Sequence, residues 1–336
     1  MTHRITVAGS DIAFPCDADE TILDAAERAG FAMPYSCRKG VCSSCKGGIV
    51  AGSVSVGRSG SATGPVEDVL LCVARPQGAI EIAPKRITAA TRPTRKRLMA
   101  TVHRIEWPAA DVAIVQLRLP IGRRAPFRAG QYVRVLLGDG ESRNYSLANA
   151  PHDNDGVTLH VRRVPGGRFS DRAMAALSPG DHLDLELPYG QFFLSEDDST
   201  PTILIGTGTG FAPLASIIGD LARRRIHRPV HLFWGGRDLA DLYQLDLARR
   251  WAATFPWLAF TPVLSRPGAG WTGSVGRVQQ AVLAHHADLS QHEVYACGSA
   301  TMIDDARATL IRERRLAEDN FYADAFVASG EAIPAP

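Results

Sequence analysis

The sequence has no long uninterrupted hydrophobic run, little excess charge and few cysteines, and each shortage excludes a class of protein. Its longest apolar stretch, Thr202 to Ile218, is broken by glycines and a proline, which makes it poor material for a membrane-spanning helix. The net charge of +2 is too small for a nucleic-acid-binding surface. Residues 1–20 lack a basic start followed by an apolar segment. We therefore expect no signal peptide, no membrane or nucleic-acid partner, and a cytoplasmic protein.

Only six cysteines occur among the 336 residues, and without an export signal they do not suggest a disulfide scaffold. Four of them follow the pattern C-x4-C-x2-C with one later cysteine: Cys37, Cys42, Cys45 and Cys72. This spacing is typical of the ligands of a plant-type 2Fe-2S cluster. A structural zinc site is the alternative, although such sites usually show two short cysteine pairs. Cys16 lies in an apolar strand and is predicted to be a small core residue.

The pattern of apolar, polar and turn-forming residues changes along the chain, which predicts a multidomain protein. Residues 1–88 read as a compact α+β unit with a helix from Thr21 to Ala29, and residues 89–97 read as an exposed linker. Residues 98–197 hold short β-rich runs that predict an antiparallel barrel. Residues 198–336 alternate apolar strands with helices, which predicts a parallel α/β sheet.

Two clusters in the barrel segment carry groups suited to a flavin dinucleotide. Arg143 can pair with a phosphate, Tyr145 can lie against a flat ring, and Ser146 can hydrogen-bond a heteroatom. The second cluster comprises Arg162, Gly166, Gly167, Arg168, Phe169 and Ser170. Its glycines predict a turn that opens a short helix from Ser170 to Ala176, whose free N–H groups favour an anion. Arg-x-Tyr-Ser alone is a weak signal, and a surface ion pair with core packing is the alternative.

Three motifs in the α/β segment follow predicted strands, where open parallel sheets bind ligands. The first is a glycine-rich turn before a helix, with Gly206, Thr207, Gly208, Thr209, Gly210 and Pro213. The second is Gly235 and Arg237, and the third is Cys297 and Gly298. Glycines let the backbone approach a dinucleotide closely, and the helix N-terminus favours its phosphates. A tight strand-to-helix turn and a buried cysteine are the alternatives.

Family resemblance joins these motifs. Pro-Tyr-Ser-Cys37-Arg-Lys-Gly-Val-Cys42-Ser-Ser-Cys45 resembles the cluster loop of plant-type ferredoxins, which implies a β-grasp fold over residues 1 to about 85. The rest resembles the ferredoxin-NADP reductase superfamily. This order of domains is that of reductase components of bacterial aromatic-ring-hydroxylating Rieske dioxygenases, particularly of the terephthalate type. The stretches that carry that resemblance are Asp11–Cys16, Pro34–Gly40, Asp139–Arg143 and His160–Ser170.

The resemblance implies roles for these residues. FAD is expected against Arg143, Tyr145 and Ser146, with its pyrophosphate near Gly167, and FMN is the alternative. His160 and Arg162 are also expected to bind cofactor. Arg237 is expected near the adenosine ribose, and Cys297 near the hydride-donating carbon of nicotinamide. Phe326 resembles the terminal aromatic residue that covers the flavin. Ser146, Cys297 and Phe326 are thus the predicted catalytic residues.

The implied function is electron transfer: a hydride passes from NAD(P)H to FAD, then single electrons pass through the 2Fe-2S cluster to a terminal Rieske oxygenase. Reductases of diiron phenol or methane monooxygenases and of sugar deoxygenation share this layout and remain open, as does a redox-sensing or carrier module. The sequence does not choose between NADH and NADPH. Asp238 would repel a 2′-phosphate, whereas Arg223 to Arg225 and Arg228 could attract one.

Overall fold

The computed structural model describes residues 1–57, 60–90 and 95–326. They divide into two compact units, one within residues 1–90 and the other within residues 95–326. The predicted linker at 89–97 spans the change of unit, and its residues 91–94 lie outside the described part of the chain. The exact domain boundaries stay a prediction.

The first unit is a small mixed sheet beside one helix. Its elements are β1 Thr2–Val7, β2 Ala13–Asp17, α1 Ile22–Arg28, β3 Phe31–Ala32, β4 Lys46–Ala51, β5 Ser53–Val56, β6 Ser61–Thr63, β7 Val66–Leu70, β8 Ala74–Pro76, β9 Ile80–Pro84 and β10 Thr88–Ala89. The main sheet runs in the order β2-β1-β9-β4-β7, with β1 parallel to β9 and the other pairs antiparallel. This is the expected β-grasp arrangement.

The single helix explains how the first unit builds its core. The Thr21 side chain accepts the backbone N–H of Asp24, so the helix begins with a capped first turn. Ile22 and Leu23 are fully buried and pack with Cys16 in the core. Burial raises the pKa of the Cys16 thiol to about 12, so this cysteine behaves as the predicted small core residue.

The second unit begins with an antiparallel barrel. Its strands are β11 Lys96–Ala109, β12 Val112–Arg118, β13 Tyr132–Leu136, β14 Ser142–Ser146, β15 Gly156–Arg162 and β16 His182–Tyr189. They run in the order β14-β13-β16-β11-β12-β15, and a bridge between Leu147 and Leu159 joins the two edge strands. The cylinder therefore closes around an apolar core.

The segment after β15 departs from the predicted single helix at Ser170 to Ala176. A turn of π-helix covers Arg168–Ala173, and α2 follows at Met174–Ala176. The helix starts two residues earlier because Gly167 is the last extended residue and accepts the N–H groups of Asp171 and Arg172.

The α/β part is a six-stranded parallel sheet with helices between its strands. Its elements are β17 Thr202–Thr207, α3 Phe211–Arg224, β18 Val230–Gly236, α4 Leu245–Thr254, β19 Leu258–Leu264, β20 Ser274–Val275, α5 Val278–His285, β21 Glu293–Ser299, α6 Ala300–Arg314 and β22 Phe321–Phe326. The order is β20-β19-β18-β17-β21-β22. Strand order therefore reverses between β17 and β21, which places a ligand crevice at their carboxyl ends.

The helix expected after the glycine-rich turn begins at Phe211, so Pro213 is its third residue. That position suits proline, because the first-turn N–H groups have no partner inside the helix. No helix of the described residues is both long and apolar enough to cross a membrane.

Candidate active site

The four cysteines of the framework come together as two pairs in the first unit. All four are buried, each at 5% exposure or less. The thiols of Cys37 and Cys42 lie within hydrogen-bonding distance of each other, and so do those of Cys45 and Cys72. The partner thiol and burial raise the pKa of Cys37 and of Cys45. The two pairs suit two irons, with two thiolates for each.

The backbone around the cysteines is closely packed. The loop also crowds its neighbours: a Cβ added to Gly47 would come within 2.9 Å of the Leu71 side chain and 3.0 Å of the Pro84 backbone. Gly40 has a φ of +71°, the left-handed region that favours glycine.

Arg38 follows the first cysteine, and its side chain is held by acidic residues of α1 and by an aromatic ring. Its guanidinium pairs with Asp24 and Glu27 of α1 and lies 4.2 Å from the centre of the Tyr35 ring. Lys46 pairs with Asp68 at 3.1 Å. These two residues thus join the cysteine loop to its surroundings through ion pairs.

Arg143 and Arg168, both predicted to meet FAD phosphates, come together although they are far apart in the sequence. Arg143 Nη2 lies 3.0 Å from Glu141, and Arg168 Nη1 lies 3.1 Å from the same carboxylate. Arg168 also pairs with Asp139. The two guanidinium groups therefore share one acidic turn, which is where a phosphate could replace a carboxylate.

The remaining members of the predicted flavin set differ in availability. The Tyr145 and Phe169 rings lie 5.3 Å apart, and burial raises the pKa of the Tyr145 hydroxyl. The Gly166 N–H is already used, because it donates to Asp171 at 2.7 Å. The Ser170 hydroxyl accepts the Val164 N–H. The Gly166 N–H donor is thus consumed within the turn itself, whereas the Ser170 hydroxyl accepts there and can still donate its proton.

Ser146 and Cys297 lie beside a carboxylate that the sequence did not indicate. The Ser146 hydroxyl, at the end of β14, donates to Asp324 Oδ2 at 3.4 Å. Asp324 stands directly opposite Cys297 in the register of β21 with β22. Ser146, Asp324 and Cys297 are each 5% exposed or less. Burial, and secondly the Asp324 charge, raises the pKa of Cys297, so this thiol is protonated at neutral pH.

The glycine-rich turn packs closely on Cys297 and Gly298. A Cβ at Gly210 would come within 2.1 Å of the Cys297 carbonyl oxygen, and one at Gly298 within 2.1 Å of Thr207 Oγ1. The indole N–H of the fully buried Trp234 donates to the Gly208 carbonyl at 3.1 Å. The turn after β17 and the end of β21 therefore form one surface. That Gly206, Thr207, Thr209 and Pro213 bind the dinucleotide stays a prediction.

Arg162 reaches from the barrel to this turn. Its Nη2 would lie 3.3 Å from a Cβ on Gly208, so the guanidinium covers the glycine. Nη1 donates to Asp111 at 2.7 Å, and Nη2 lies 2.8 Å from Asp241 Oδ1. A guanidinium fixed beside a glycine turn in this way fits an anionic group such as a pyrophosphate.

His160 lies two residues before Arg162 on β15, and its side chain already has a hydrogen-bond partner. Its Nδ1 is 2.7 Å from the Tyr243 hydroxyl, and its ring stacks towards Phe211. Burial lowers the pKa of His160 to about 4, so the ring is neutral at physiological pH. Its expected contact with a cofactor stays a prediction.

Not all the arginines that could attract a 2′-phosphate lie at the ligand-binding edge of the sheet. Arg228 is fully buried and pairs with Glu293 at 3.1 Å. Arg223 and Arg224 end α3, about 20 Å along the helix from the glycine turn. Arg237 does follow β18, and Arg266 donates its backbone N–H to the Arg237 carbonyl. Arg228 and the arginines at the end of α3 are therefore wrong candidates.

Comparison with known proteins matches a family model to each of the three parts. The 2Fe-2S iron-sulfur cluster binding domain matches residues 5–77, the oxidoreductase FAD-binding domain residues 99–194, and the oxidoreductase NAD-binding domain residues 204–308. Reductase component 1 of terephthalate 1,2-dioxygenase from Comamonas is 41% identical over 335 residues, covering 98% of each chain. The chain belongs to the family of ferredoxin-fused FAD and NAD(P)H reductases.

Other relatives of this reductase serve different systems. The CDP-6-deoxy-L-threo-D-glycero-4-hexulose-3-dehydrase reductase of Yersinia pseudotuberculosis is 37% identical, over 98% of this chain and 100% of the relative. The crystal structure of an Amycolatopsis cytochrome P450 reductase matches with a TM-score of 0.76 and 32% identity, covering 98% of this chain and 100% of that one. The shared feature is the whole three-domain layout.

The family settles the alternatives that concern cofactors. The reductase binds a 2Fe-2S cluster rather than zinc, and FAD rather than FMN, and it is an NAD(P)H-dependent oxidoreductase rather than a carrier module. Sequence reasoning missed Asp324 and Asp241. Both acids lie beside motifs that were recognised, Asp324 two residues before Phe326 and Asp241 four after Arg237, but neither belongs to a spacing pattern of its own.

Proposed function

We propose that this reductase takes electrons from NAD(P)H and delivers them singly to the terminal oxygenase of a multicomponent aromatic-ring dioxygenase, of the terephthalate type. The similarity to the Comamonas reductase component covers nearly the whole of both chains. A Rieske oxygenase is the acceptor that the resemblance implies. The aromatic substrate is then chosen by the oxygenase and not by this chain.

The cysteine pairs are assigned to the cluster. Cys37 and Cys42 hold one iron, and Cys45 and Cys72 hold the other, because the thiols neighbour each other in these pairs. All four must be thiolates to bind. The ion pairs of Arg38 with α1 keep the first ligand's loop in place.

Bound FAD links a two-electron donor to a one-electron acceptor, which is why this chemistry needs it between NAD(P)H and the cluster. On this chain, Arg143 and Arg168 are assigned to its phosphates, because they converge on one acidic turn. Tyr145 is assigned to the flat ring and Ser146 to a ring heteroatom. Gly167, Phe169 and Ser170 shape the turn beside the pyrophosphate.

The contact between Ser146 and Asp324 is the observation that carries the assignment of the reacting centre. It joins the end of a barrel strand to the last strand of the α/β sheet, next to Cys297. The Ser146 hydroxyl proton points to the Asp324 carboxylate. The lone pairs of Ser146 Oγ that face away from Asp324 can therefore accept a hydrogen bond. Cys297 lines this position with a small, uncharged and fully buried side chain.

The nicotinamide dinucleotide is assigned to the crevice where strand order reverses. The turn at Gly206 to Gly210 takes the pyrophosphate, with Arg162 as the charged partner and α3 pointing its N-terminus at it. Gly235 and Arg237 line the adenosine end, and Gly298 allows close approach. Phe326, which is 36% exposed, is assigned to cover the flavin and to move aside for nicotinamide.

Reconstitution tests the acceptor. The purified reductase is combined with a terephthalate-type dioxygenase, a diiron phenol monooxygenase and a sugar-deoxygenating dehydrase, each supplied with its substrate and NAD(P)H. We expect product only, or at least about tenfold faster, with the dioxygenase. Preference for the dehydrase, which the 37% identical relative makes the second candidate, would overturn the proposed partner but not the reductase activity.

The remaining assignments are the cellular location and the domain boundaries. We place the protein in the cytoplasm, which agrees with six cysteines that form no disulfide in the described chain. We keep the ferredoxin domain at 1–88, the FAD barrel at 98–197 and the NAD(P) domain at 198–336. Limited proteolysis within 89–97 that releases an iron-containing fragment would support these limits.

A further inference from the structure

Asp241 is buried at 8% exposure in the short turn Leu239–Leu242 that follows β18. Its two oxygens contact two different parts of the second unit. Oδ2 accepts the Arg237 backbone N–H at 2.8 Å and its side-chain Nε at 3.3 Å. Oδ1 lies 2.8 Å from Nη2 of Arg162, which belongs to the barrel. One carboxylate thus links the barrel to the loop after the second strand of the α/β sheet.

The loop is folded so that this carboxylate can turn back. A Cβ on Gly236 would lie 2.6 Å from the Asp241 Cβ and 3.2 Å from the Asp238 carbonyl oxygen. Only a residue without a side chain leaves this room. Burial raises the pKa of Asp241, but the Arg237 N–H and the Arg162 charge outweigh it and keep the pKa below its usual value. Asp241 is therefore ionised throughout the physiological range.

Arg162 is held from two sides. Asp111, on the barrel, binds Nη1 at 2.7 Å, and Asp241, on the α/β domain, faces Nη2. The guanidinium plane is thereby fixed over Gly208. Without Asp241 the side chain would be anchored on one side only, and the guanidinium would lose its alignment over the glycine turn.

We propose that Asp241 is a positioning residue for nicotinamide dinucleotide binding, which acts through Arg162 and the Arg237 loop. The inference rests on the proposed function, because it requires the pyrophosphate to lie at the glycine turn. The role assigned to Asp241 is indirect, because both of its oxygens face arginines. It fixes the two arginines so that the dinucleotide meets them already in place.

The test measures NAD⁺ and NADP⁺ binding to the oxidised, FAD-loaded and cluster-loaded protein by calorimetry, with no turnover. Asp241→Asn has the same shape but loses the charge and one acceptor. We expect its dissociation constant for the tighter of the two dinucleotides to rise about tenfold. The matched control is Asp246→Asn, five residues later, an exposed carboxylate that lies 3.9 Å from Arg249. We expect less than about twofold there.

A double-mutant cycle separates positioning from general destabilisation. Arg162→Ala alone should weaken dinucleotide binding. In the double variant, Asp241→Asn should add only a small further loss of affinity, the part that it causes through Arg237. Fully additive losses would overturn the role assigned to Arg162. Tighter binding in Asp241→Asn would also overturn the proposal, since it would mean that Asp241 merely competes with the phosphates for arginine.

Two further measurements keep the test decisive. If Asp241→Asn loses FAD absorbance or melts early, Asp241→Glu replaces it: the longer carboxylate keeps the charge but is displaced, and unchanged NAD⁺ affinity would refute positioning. In steady state, KM for NAD(P)H should rise with little change in kcat. If the wild-type protein binds neither dinucleotide, the nicotinamide site itself is wrong, which is distinct from a failure of the Asp241 inference.

Discussion

The cluster site in the first unit and the dinucleotide crevice in the second are built on opposite plans. Three of the four cluster ligands lie within Cys37 to Cys45, on one loop, and the fourth follows at Cys72. The crevice instead joins Ser146 to Asp324, which are 178 positions apart in sequence. The first site is local in the chain, and the second exists only once the barrel and the sheet have packed.

This difference has a physical consequence. A cluster bound through covalent thiolate bonds depends on the presence of each ligand. The crevice depends on orientation, because its residues hold one another through hydrogen bonds and ion pairs. Loss of one residue should thus abolish the first site outright, whereas the second should fail by degrees.

The largest effect is expected for Cys42→Ser. The variant should lose nearly all its iron and acid-labile sulfide, because a hydroxyl is a poor substitute for a thiolate on iron. Electron delivery to cytochrome c should fall with it, while FAD reduction by NAD(P)H persists. Iron analysis and visible spectra give the readout. Cys16→Ala, which removes a cysteine from the core of the same unit, should keep the cluster; a Cys42→Ser protein with full iron would undo the ligand assignment.

A graded effect is expected for Asp324→Ala. Ser146 loses the acceptor that holds its proton, so FAD reduction by NAD(P)H should slow by about tenfold to a hundredfold, as misplacement at a reacting centre does. Stopped-flow absorbance under anaerobic conditions measures the rate. Asp319→Asn, an exposed acid five residues earlier, is the matched control. Equal rates for wild type and Asp324→Ala would remove Asp324 from the reacting centre.

Arg228→Met tests whether an arginine outside the crevice stabilises the fold and does not bind the dinucleotide. It leaves Glu293 buried and without its charged partner, which should cost about 3–5 kcal/mol of unfolding free energy. Arg224→Met breaks only an exposed pair with Asp220 and should cost less than about 1 kcal/mol. Chemical denaturation followed by tryptophan fluorescence compares them. A selective loss of NADPH affinity in folded Arg228→Met would restore Arg228 as a phosphate ligand.

How far the sequence could predict these sites follows from the same difference. The cysteine spacing alone pointed to the cluster, and the glycine turn at Gly206 to Gly210 fell where β17 meets α3. The partners of Arg228 could not be foreseen, because Glu293 is 65 positions away and becomes a neighbour only through the pairing of β17 with β21. Asp241 and Asp324 were missed for the same reason, because each is a residue of the α/β part that contacts a side chain of the barrel.

A smaller, pH-dependent effect is expected in the second unit. Burial lowers the pKa of His231 to about 3 and of His286 to about 4, and the two rings contact each other through nitrogens 3.0 Å apart. Their folded pKa values lie below the unfolded value of about 6.5, so the unfolded state takes up protons first. Stability is therefore full above pH 6.5 and falls as the pH drops towards those values.

Thermal melting between pH 7 and pH 5, where carboxylates are still ionised, should show this decline. His231→Gln should flatten the slope, whereas an unchanged slope would mean that other groups control it. His292, whose pKa burial also lowers, faces the same pair and contributes in the same direction. The His285 ring also lies against the His231 ring.

Anaerobic reduction of the complete protein by NAD(P)H tests the central claim most directly, because it follows electrons across both regions at once. With rapid mixing, the FAD absorbance should fall first and the 2Fe-2S absorbance afterwards, and in Cys42→Ser only the first change should remain. A cluster that is reduced while the FAD stays oxidised would contradict the account.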